Sequence, residues 1–400
     1  MGDAVAGKSH DSRAVDARPA ADRRTAGIAP SDVSFQVSYQ LRDRVWDDLL
    51  ASIPGSHFEQ TSGWGAVKAS YGWQVFRILA SAGERLVGGV QVLVRRLGRL
   101  GRIGYVARGP MVLPGYGGVE KSLAAEISRI AHKESWLYCV FDYPYESHAL
   151  AADMAADGYF PHPAAIPPSG LLSATSIVDL GPCIEDVLAR MSRNARRNIQ
   201  RAAAGGMSVV EGGPEDLPRF RDLMAATCVR RQSAPTPPQR DYFQRLWSEL
   251  GDRGWVRLFV VKSGSEVVSA LFAFTISDTV RLWKSGWSGA HADKHPNHLM
   301  FWESIRWAKA RGFSKVDLVW IDTEDAKRVA RGESAREGFR DGTTYFKLGF
   351  GGALCFPPPV QSRFFHPLCR AAFRVGGARV LASSSFQRML SRYWSQATRQ

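Results

Sequence analysis

The sequence predicts an α/β (α+β) protein built from two successive units, and three observations carry that prediction. Segments of helical and strand periodicity alternate along most of the chain. A proline-rich stretch with Pro161, Pro163, Pro167 and Pro168 divides the ordered part in two. The order helix, strands, helix, strand then occurs on both sides of it, as a duplicated unit would give. The chain has 400 residues, 45% hydrophobic and 22% charged, enough for two or three domains and far from a disordered composition.

Residues 1–31 mix Ala, Asp, Arg and Gly without periodicity and read as a disordered leader. A helix is predicted over 41–52, where Val45, Leu49 and Leu50 share a face and Pro54-Gly55 stops it. A second helix holds Trp64, Val67 and Tyr71. Strands follow over 74–79, 86–94 and 103–106, separated by Ala82-Gly83 and by a turn containing Gly98 and Gly101. A helix over 122–134 and a strand over 136–141 complete the first unit, placed at 32–170. The second unit, at 171–356, opens with a strand over 176–180 and a helix over 184–203. A strand over 207–211 precedes helices over 216–231 and 241–250. Strands over 256–262, 267–277 and 280–285 lead to a helix over 298–311 and a last strand over 315–320. Residues 357–400 are read as a basic amphipathic tail, either resting on anionic lipid or packed on the first unit.

Charge separates this composition from an ordinary one. Lys plus Arg is 52 against 38 acids, a net +14, and only 11 of the 52 are lysines. After Asp341 there is no acidic residue, while eight basic ones follow. Arginine's planar fork suits phosphate, so a polyanionic partner is expected. No apolar run is long enough to span a membrane, no secretory signal is evident and the five cysteines show no C-x-x-C spacing. A cytoplasmic protein without a disulfide framework is the expectation, with the inner face of the membrane as a second location.

Four constellations could carry chemistry. Arg190, Arg193, Arg197 and Arg201 step by 3, 4 and 4, with Arg196 beside them and no acid between Asp186 and Glu211. On one helix these form a basic stripe suited to a bound polyanion. Thr344-Tyr345-Phe346-Lys347-Leu348 reads as an aromatic strand before a glycine turn, with a lysine able to stabilise an oxyanion. His291, Asp293, His295 and His298 crowd eight residues, but the run crosses Pro296, so a polar loop is preferred over a metal site, with Asn297 capping the next helix. Arg95 to Gly101 is similar to an acyl-CoA pyrophosphate loop, but its second glycine is one place late and strand rather than helix follows.

Taken together, four stretches resemble the Fem family of aminoacyl-tRNA-dependent peptidyltransferases. They are Phe58-Glu-Gln-Thr-Ser-Gly-Trp64-Gly-Ala-Val-Lys68 with Tyr71-Gly72-Trp73; Gly88-Gly89-Val90-Gln91 leading to Tyr105–Pro110; Arg193–Ala202 followed by Gly206; and Pro296-Asn297-His298-Leu299 through Trp302-Glu303 to Phe346-Lys347. The resemblance implies two tandem GNAT-like domains, each a mixed sheet flanked by helices. It implies that an amine attacks the ester of aminoacyl-tRNA to form an amide, with no covalent intermediate, no cofactor and no metal. By position Lys347 and Phe346 would be the catalytic pair at the tRNA acceptor end. Lys68, Arg231 and Trp64 would bind the acceptor, Lys68 and Arg231 through a diphosphate. Arg190, Arg193, Arg196, Arg197 and Arg201 would bind tRNA. The family's Tyr-Asp-Phe-Gly-Gly stretch is replaced here by Val316-Asp317-Leu318-Val319-Trp320, and Arg231 is followed by an insert with Pro235, Pro237 and Pro238. The acceptor is therefore left open between a phosphorylated or lipid-linked cell-wall precursor and a small amine of antibiotic biosynthesis. The competing expectations are an acyl-CoA-dependent N-acyltransferase and a non-catalytic RNA- or membrane-binding protein.

Overall fold

In a computed structural model of the chain, residues 32–97, 101–163, 174–333, 338–339 and 342–372 are described. The predicted leader 1–31 and the tail beyond 372 lie outside them. The first unit runs β1 (Val33–Ser38), α1 (Arg44–Ser52), α2 (Ser62–Ala69), β2 (Gln74–Ala82), β3 (Arg85–Arg96), β4 (Arg102–Ala107), β5 (Met111–Val112), α3 (Val119–Lys133), β6 (Trp136–Asp142), α4 (His148–Ala156) and β7 (Phe160–Pro161). The second runs β8 (Thr175–Asp179), α5 (Ile184–Arg190), α6 (Arg193–Ala204), β9 (Met207–Gly212), α7 (Leu217–Arg230), α8 (Tyr242–Leu250), β10 (Val256–Ser263), β11 (Glu266–Ile276), β12 (Thr279–Trp287), α9 (Pro296–Ala310), β13 (Lys315–Asp317), α10 (Thr323–Ala330), α11 (Thr343–Leu348), β14 (Ala353–Cys355), β15 (Gln361–Phe364) and α12 (Pro367–Ala372).

Each unit is a mixed sheet flanked by helices, and the two sheets repeat one pattern. One has the order β1-β2-β3-β4-β6-β15-β7, with β5 pairing β3; the other has β14-β8-β13-β12-β11-β10-β9. In each, four antiparallel strands are followed by a parallel one, β4 with β6 and β12 with β13, reached through a crossover helix. The duplicated motif is thus strand, two helices, three strands, helix, strand, with β8, α5 and α6 added ahead of its second copy. The long central strands β3 and β11 are buried along nearly their whole length, as their Val-, Leu- and Phe-rich sequences require.

The two units share a core. Trp46, Phe58 and Trp64 of the first pack with Phe220, Tyr242, Phe243 and Phe274 of the second. Phe58 stacks flat on Phe274, ring centroids 3.6 Å apart. The Phe58–Thr61 stretch is therefore largely structural. The Gln60 amide accepts from Gln91 N at 2.7 Å and donates to Ala107 O at 2.6 Å, tying that stretch to β3 and β4. Thr61 caps α2 by accepting from Trp64 N.

Two expectations are corrected. The helix predicted over 184–203 is two helices. Met191 is extended, and the Ser192 side chain starts α6 by accepting from Ala195 N at 3.1 Å. Val187 of α5, Met191 at the break and Ala195, Ile199 and Ala202 of α6 enter one core, with Leu188 partly buried against it. The tail predicted from 357 does not begin there. β15 returns to the first sheet and pairs antiparallel with β6 and β7, with Gln361 accepting from Tyr143 OH at 2.7 Å. The chain thus closes its first sheet after finishing its second.

Candidate active site

Lys347 stands on a helix, not on the aromatic strand predicted from its neighbours. The helix and the turn that follows it bring Phe346 and Phe350 together against α9, ring centroids 5.2 Å apart. Phe346 meets His298 and Phe301 at 4.8 and 4.9 Å between centroids, and Phe350 meets Phe301 at 5.4 Å. The turn that follows requires glycine. Gly351 has φ +74°, and a Cβ there would lie 2.6 Å from Arg190 O.

The Lys347 side chain is 9% exposed. Its ammonium donates to Val319 O at 2.5 Å and Trp320 O at 3.0 Å. An ammonium has three N–H groups, so one is left for a ligand. The two carbonyls belong to residues with φ 52° and 49°. That left-handed conformation costs a non-glycine residue about 1–2 kcal/mol. The sequence has Val and Trp where the Fem-like pattern has two glycines, yet the backbone keeps a shape glycine would take freely. Asp317 sits beneath, accepting from Thr175 Oγ1 at 2.5 Å, Val319 N at 2.8 Å and Tyr145 OH at 2.8 Å. Burial lowers the Lys347 pKa to about 7; Asp317 opposes the shift, while Arg231 and Lys284 add to it.

Lys347 forms part of the wall of a cavity of about 710 Å³ together with Arg231, Trp283, Lys284, Trp320 and Phe346. Arg231 caps the C-terminus of α7. Close packing of α7 on β12 needs Gly286, where a Cβ would come within 2.3 Å of Met224 N. Sequence reasoning missed Lys284, which looked like one polar residue on an ordinary strand. The β11–β12 register shifts beside it, Lys284 pairing with Phe272 but Leu282 with Ala273, so Trp283 is an extra residue. Burial lowers the Lys284 pKa. A second cavity of about 210 Å³ lies on the other side of Phe346 and is lined by Ser192, Asn194, Ala195 and His298.

The predicted arginine ladder is split by the break at Ser192. Arg190 lies on α5, 3.8 Å from Asp179. Arg193, Arg197 and Arg201 remain on one exposed face of α6, with Arg196 partly buried beside them. The histidine loop packs against this helix. Burial and the nearby Arg201 and Arg197 lower the His295 pKa, and His298, 3.3 Å from Asn198, is pushed down to about 4 by burial and His295. Asn297 does not cap α9. It lies within the helix and accepts from Ser269 Oγ at 2.6 Å, while His295, at φ 52°, occupies the cap.

Lys68 and Trp64 do not line the cavity that Arg231 lines. Trp64 is 3% exposed, so it reaches a ligand only through Lys68, whose ammonium lies 4.7 Å from the Trp64 ring centre and 5.6 Å from that of Tyr242. Burial brings the Lys68 pKa down to about 8 against the pull of Glu59, whose own carboxyl burial raises to about 7. Lys68 does not line the Lys347 cavity. The nearest link is Trp283, a cavity residue whose ring is 6.0 Å from that of Trp64.

Residues 189–328 match the family model described as an acetyltransferase (GNAT) domain. No curated protein matches the chain in sequence. The crystal structure of FemX superposes with a TM-score of 0.69 at 18% identity, covering 82% of this chain and 97% of that one. This is the tandem GNAT fold of FemX. L-PGS from Bacillus licheniformis is also similar, with a TM-score of 0.51 at 15% identity, covering 87% of this chain and 99% of that one. The Fem resemblance read from four short stretches therefore holds for the fold. Each unit of this FemX-like fold holds a buried ion pair, Arg108–Asp142 at 3.2 Å in the first and Arg281–Asp317 at 3.8 Å in the second. Among the described residues, no helix is long and apolar enough to cross a membrane.

Proposed function

We propose that the protein is an aminoacyltransferase that moves an amino acid from aminoacyl-tRNA to an amine, forming an amide. The observation that carries this reading is the Lys347 ammonium, clamped by two carbonyls in the wall of a cavity and one aromatic ring away from a second cavity at the start of the arginine helix. The acceptor nitrogen attacks the ester carbonyl carbon. The remaining Lys347 N–H donates to the oxyanion that forms, and a donor of this kind contributes about 3–4 kcal/mol. The carbon–oxygen bond to the ribose then breaks, and the nitrogen's proton ends on the ribose oxygen. The site supplies position and charge and needs no covalent enzyme intermediate.

Phe346 separates the donor and acceptor sides. Arg193, Arg196, Arg197 and Arg201 face the tRNA backbone, and Arg190 adds charge from α5. Arg231 belongs to the acceptor side. Lys68, held over Trp64, contacts an acceptor diphosphate if the acceptor carries one. Cell-wall precursors, lipid-linked amines and small amines of secondary metabolism all remain acceptor classes under this reading. It places the protein in the cytoplasm, where charged tRNA is, and at the inner membrane face if the acceptor is lipid-linked. The match to an acetyltransferase (GNAT) domain supports a second reading, acyl-CoA as donor. Incubation of an amine acceptor with labelled aminoacyl-tRNA or, separately, with labelled acyl-CoA, each with and without RNase, separates them: the first reading predicts a product from aminoacyl-tRNA alone that RNase abolishes, the second a product from acyl-CoA that RNase leaves intact.

A further inference from the structure

Among the described tryptophans, Trp320 alone is exposed, at 54%, and it stands in the wall of the cavity beside Lys347. Four other aromatic residues line that cavity, and each is already engaged by the protein. Trp283 packs on Trp64 at 6.0 Å between ring centroids, and the Trp287 ring centre lies 4.8 Å from the Arg230 guanidinium. Phe301 and Phe346 pack on each other at 4.9 Å. The Trp320 ring has no ring, cation or hydrogen-bond partner among the described residues. Its backbone is strained as well. At φ 49° it holds a left-handed conformation that the glycine of the Fem-like pattern would take freely and a tryptophan takes at a cost. The carbonyl that Lys347 uses would be there with any residue at this place, and an exposed ring gains little from the core. Nothing in the fold therefore offsets the strain of having tryptophan here, which points to a ligand.

The place of the ring says what it meets. The Trp320 carbonyl accepts from the Lys347 ammonium at 3.0 Å, so the residue is tied to the group that faces the oxyanion. Trp320 lines the larger cavity and not the smaller one at the start of the arginine helix. The larger cavity is the side given above to the amine. An indole face suits a flat partner: aromatic rings stack on it in an offset arrangement, and an exposed face needs little rearrangement to receive one. We propose that Trp320 is a stacking platform for a planar ring, aromatic or heteroaromatic, that the acceptor carries close to its attacking nitrogen, so that ring-bearing amines are selected over aliphatic ones. The word acceptor rests on the transferase reading above, but the ring site itself is independent of it.

The test uses the full chain with 5-fluorotryptophan in place of its 12 tryptophans, read by fluorine NMR. The Trp320 resonance is identified by its loss in Trp320→Phe. Benzamide and cyclohexanecarboxamide, both neutral and close in size, are titrated separately. Benzamide should move the Trp320 resonance saturably, and cyclohexanecarboxamide should need about tenfold more, as the loss of one ring stack requires. A resonance that neither compound moves, or that both move alike, would overturn the ring site. Transfer supplies the second arm, as the ratio of kcat/KM for 2-phenylethylamine over 2-cyclohexylethylamine. The ratio should be about ten in the wild type, fall to parity in Trp320→Leu and return in large part in Trp320→Phe, a pattern that a merely structural role does not give. A ratio that Trp320→Leu leaves in place, or uncharged tRNA moving the resonance as far as benzamide does, would assign the ring to another ligand and defeat the proposal. If the wild type transfers to no amine at all, the transferase reading fails while the benzamide titration still decides the ring site.

Discussion

Replacing Lys347 by methionine removes one charged donor and keeps most of the side-chain volume. The wild-type ammonium is buried and touches two carbonyls, with Arg231 and Lys284 near. Two consequences are opposite in sign. The lost oxyanion contact slows transfer by about 100- to 1,000-fold, the worth of about 3–4 kcal/mol in the transition state. Stability moves the other way. A lysine whose pKa falls from 10.5 to about 7 on folding binds fewer protons native than unfolded between those values. Its burial therefore opposes folding at neutral pH by up to about 4–5 kcal/mol, with stability recovered as pH rises through that window. The variant leaves two carbonyls unpaired, at about 1 kcal/mol or more each, so the net change is a melt equal to or above that of the wild type at pH 7. Single-turnover transfer from labelled aminoacyl-tRNA and urea melts at pH 7 measure both. A folded Lys347→Met with wild-type turnover would refute the chemical role, and one that melts several kcal/mol lower would show that the lysine is structural.

The wild type's rate advantage over Lys347→Met should shrink as pH rises through about 7, because the ammonium is the active form; an advantage that grows instead would make the neutral amine a base. Changing Arg193, Arg197 and Arg201 together to glutamine should weaken tRNA binding and flatten its salt dependence by roughly three contacts, at a slope of about 0.7–0.9 each, while Arg190→Gln alone changes little; filter binding between 50 and 200 mM salt reads this. Ser192→Ala removes the cap of α6 and should cost about 1 kcal/mol in a urea melt. Val319→Gly relieves a left-handed β-branched residue and should stabilise by about 0.5–1 kcal/mol with transfer retained, since the carbonyl that holds Lys347 remains.

What the sequence made legible was local. The meander of β10, β11 and β12 and the crossover helix α9 show clean periodicity, and the Fem-like stretches foretold the tandem fold. What it hid depended on distant partners. The aromatic run Tyr345-Phe346 before a glycine turn reads as a strand, and the contacts of Phe346 and Phe350 with Phe301 of α9 favour the helical turn instead. The break at Ser192 was masked because α5 and α6 bury apolar residues at helical spacing in one core. β15 pairs with residues more than 200 positions earlier, a contact no local pattern announces. Lys284 became a site residue through a bulge that its own strand sequence does not mark. Trp64 looked like a ligand contact because it shares a motif with Lys68, but its ring belongs to the core between the units.

The central claim is met most directly by one measurement: amide formation when the purified protein is given a pool of radiolabelled aminoacyl-tRNAs and a panel of amine acceptors. The account predicts a labelled amide product that requires the protein, disappears when the tRNA is destroyed by RNase before mixing, and falls by about 100-fold or more with Lys347→Met. A product that forms undiminished from acyl-CoA after RNase treatment, or a wild type that transfers nothing from any charged tRNA, would contradict it.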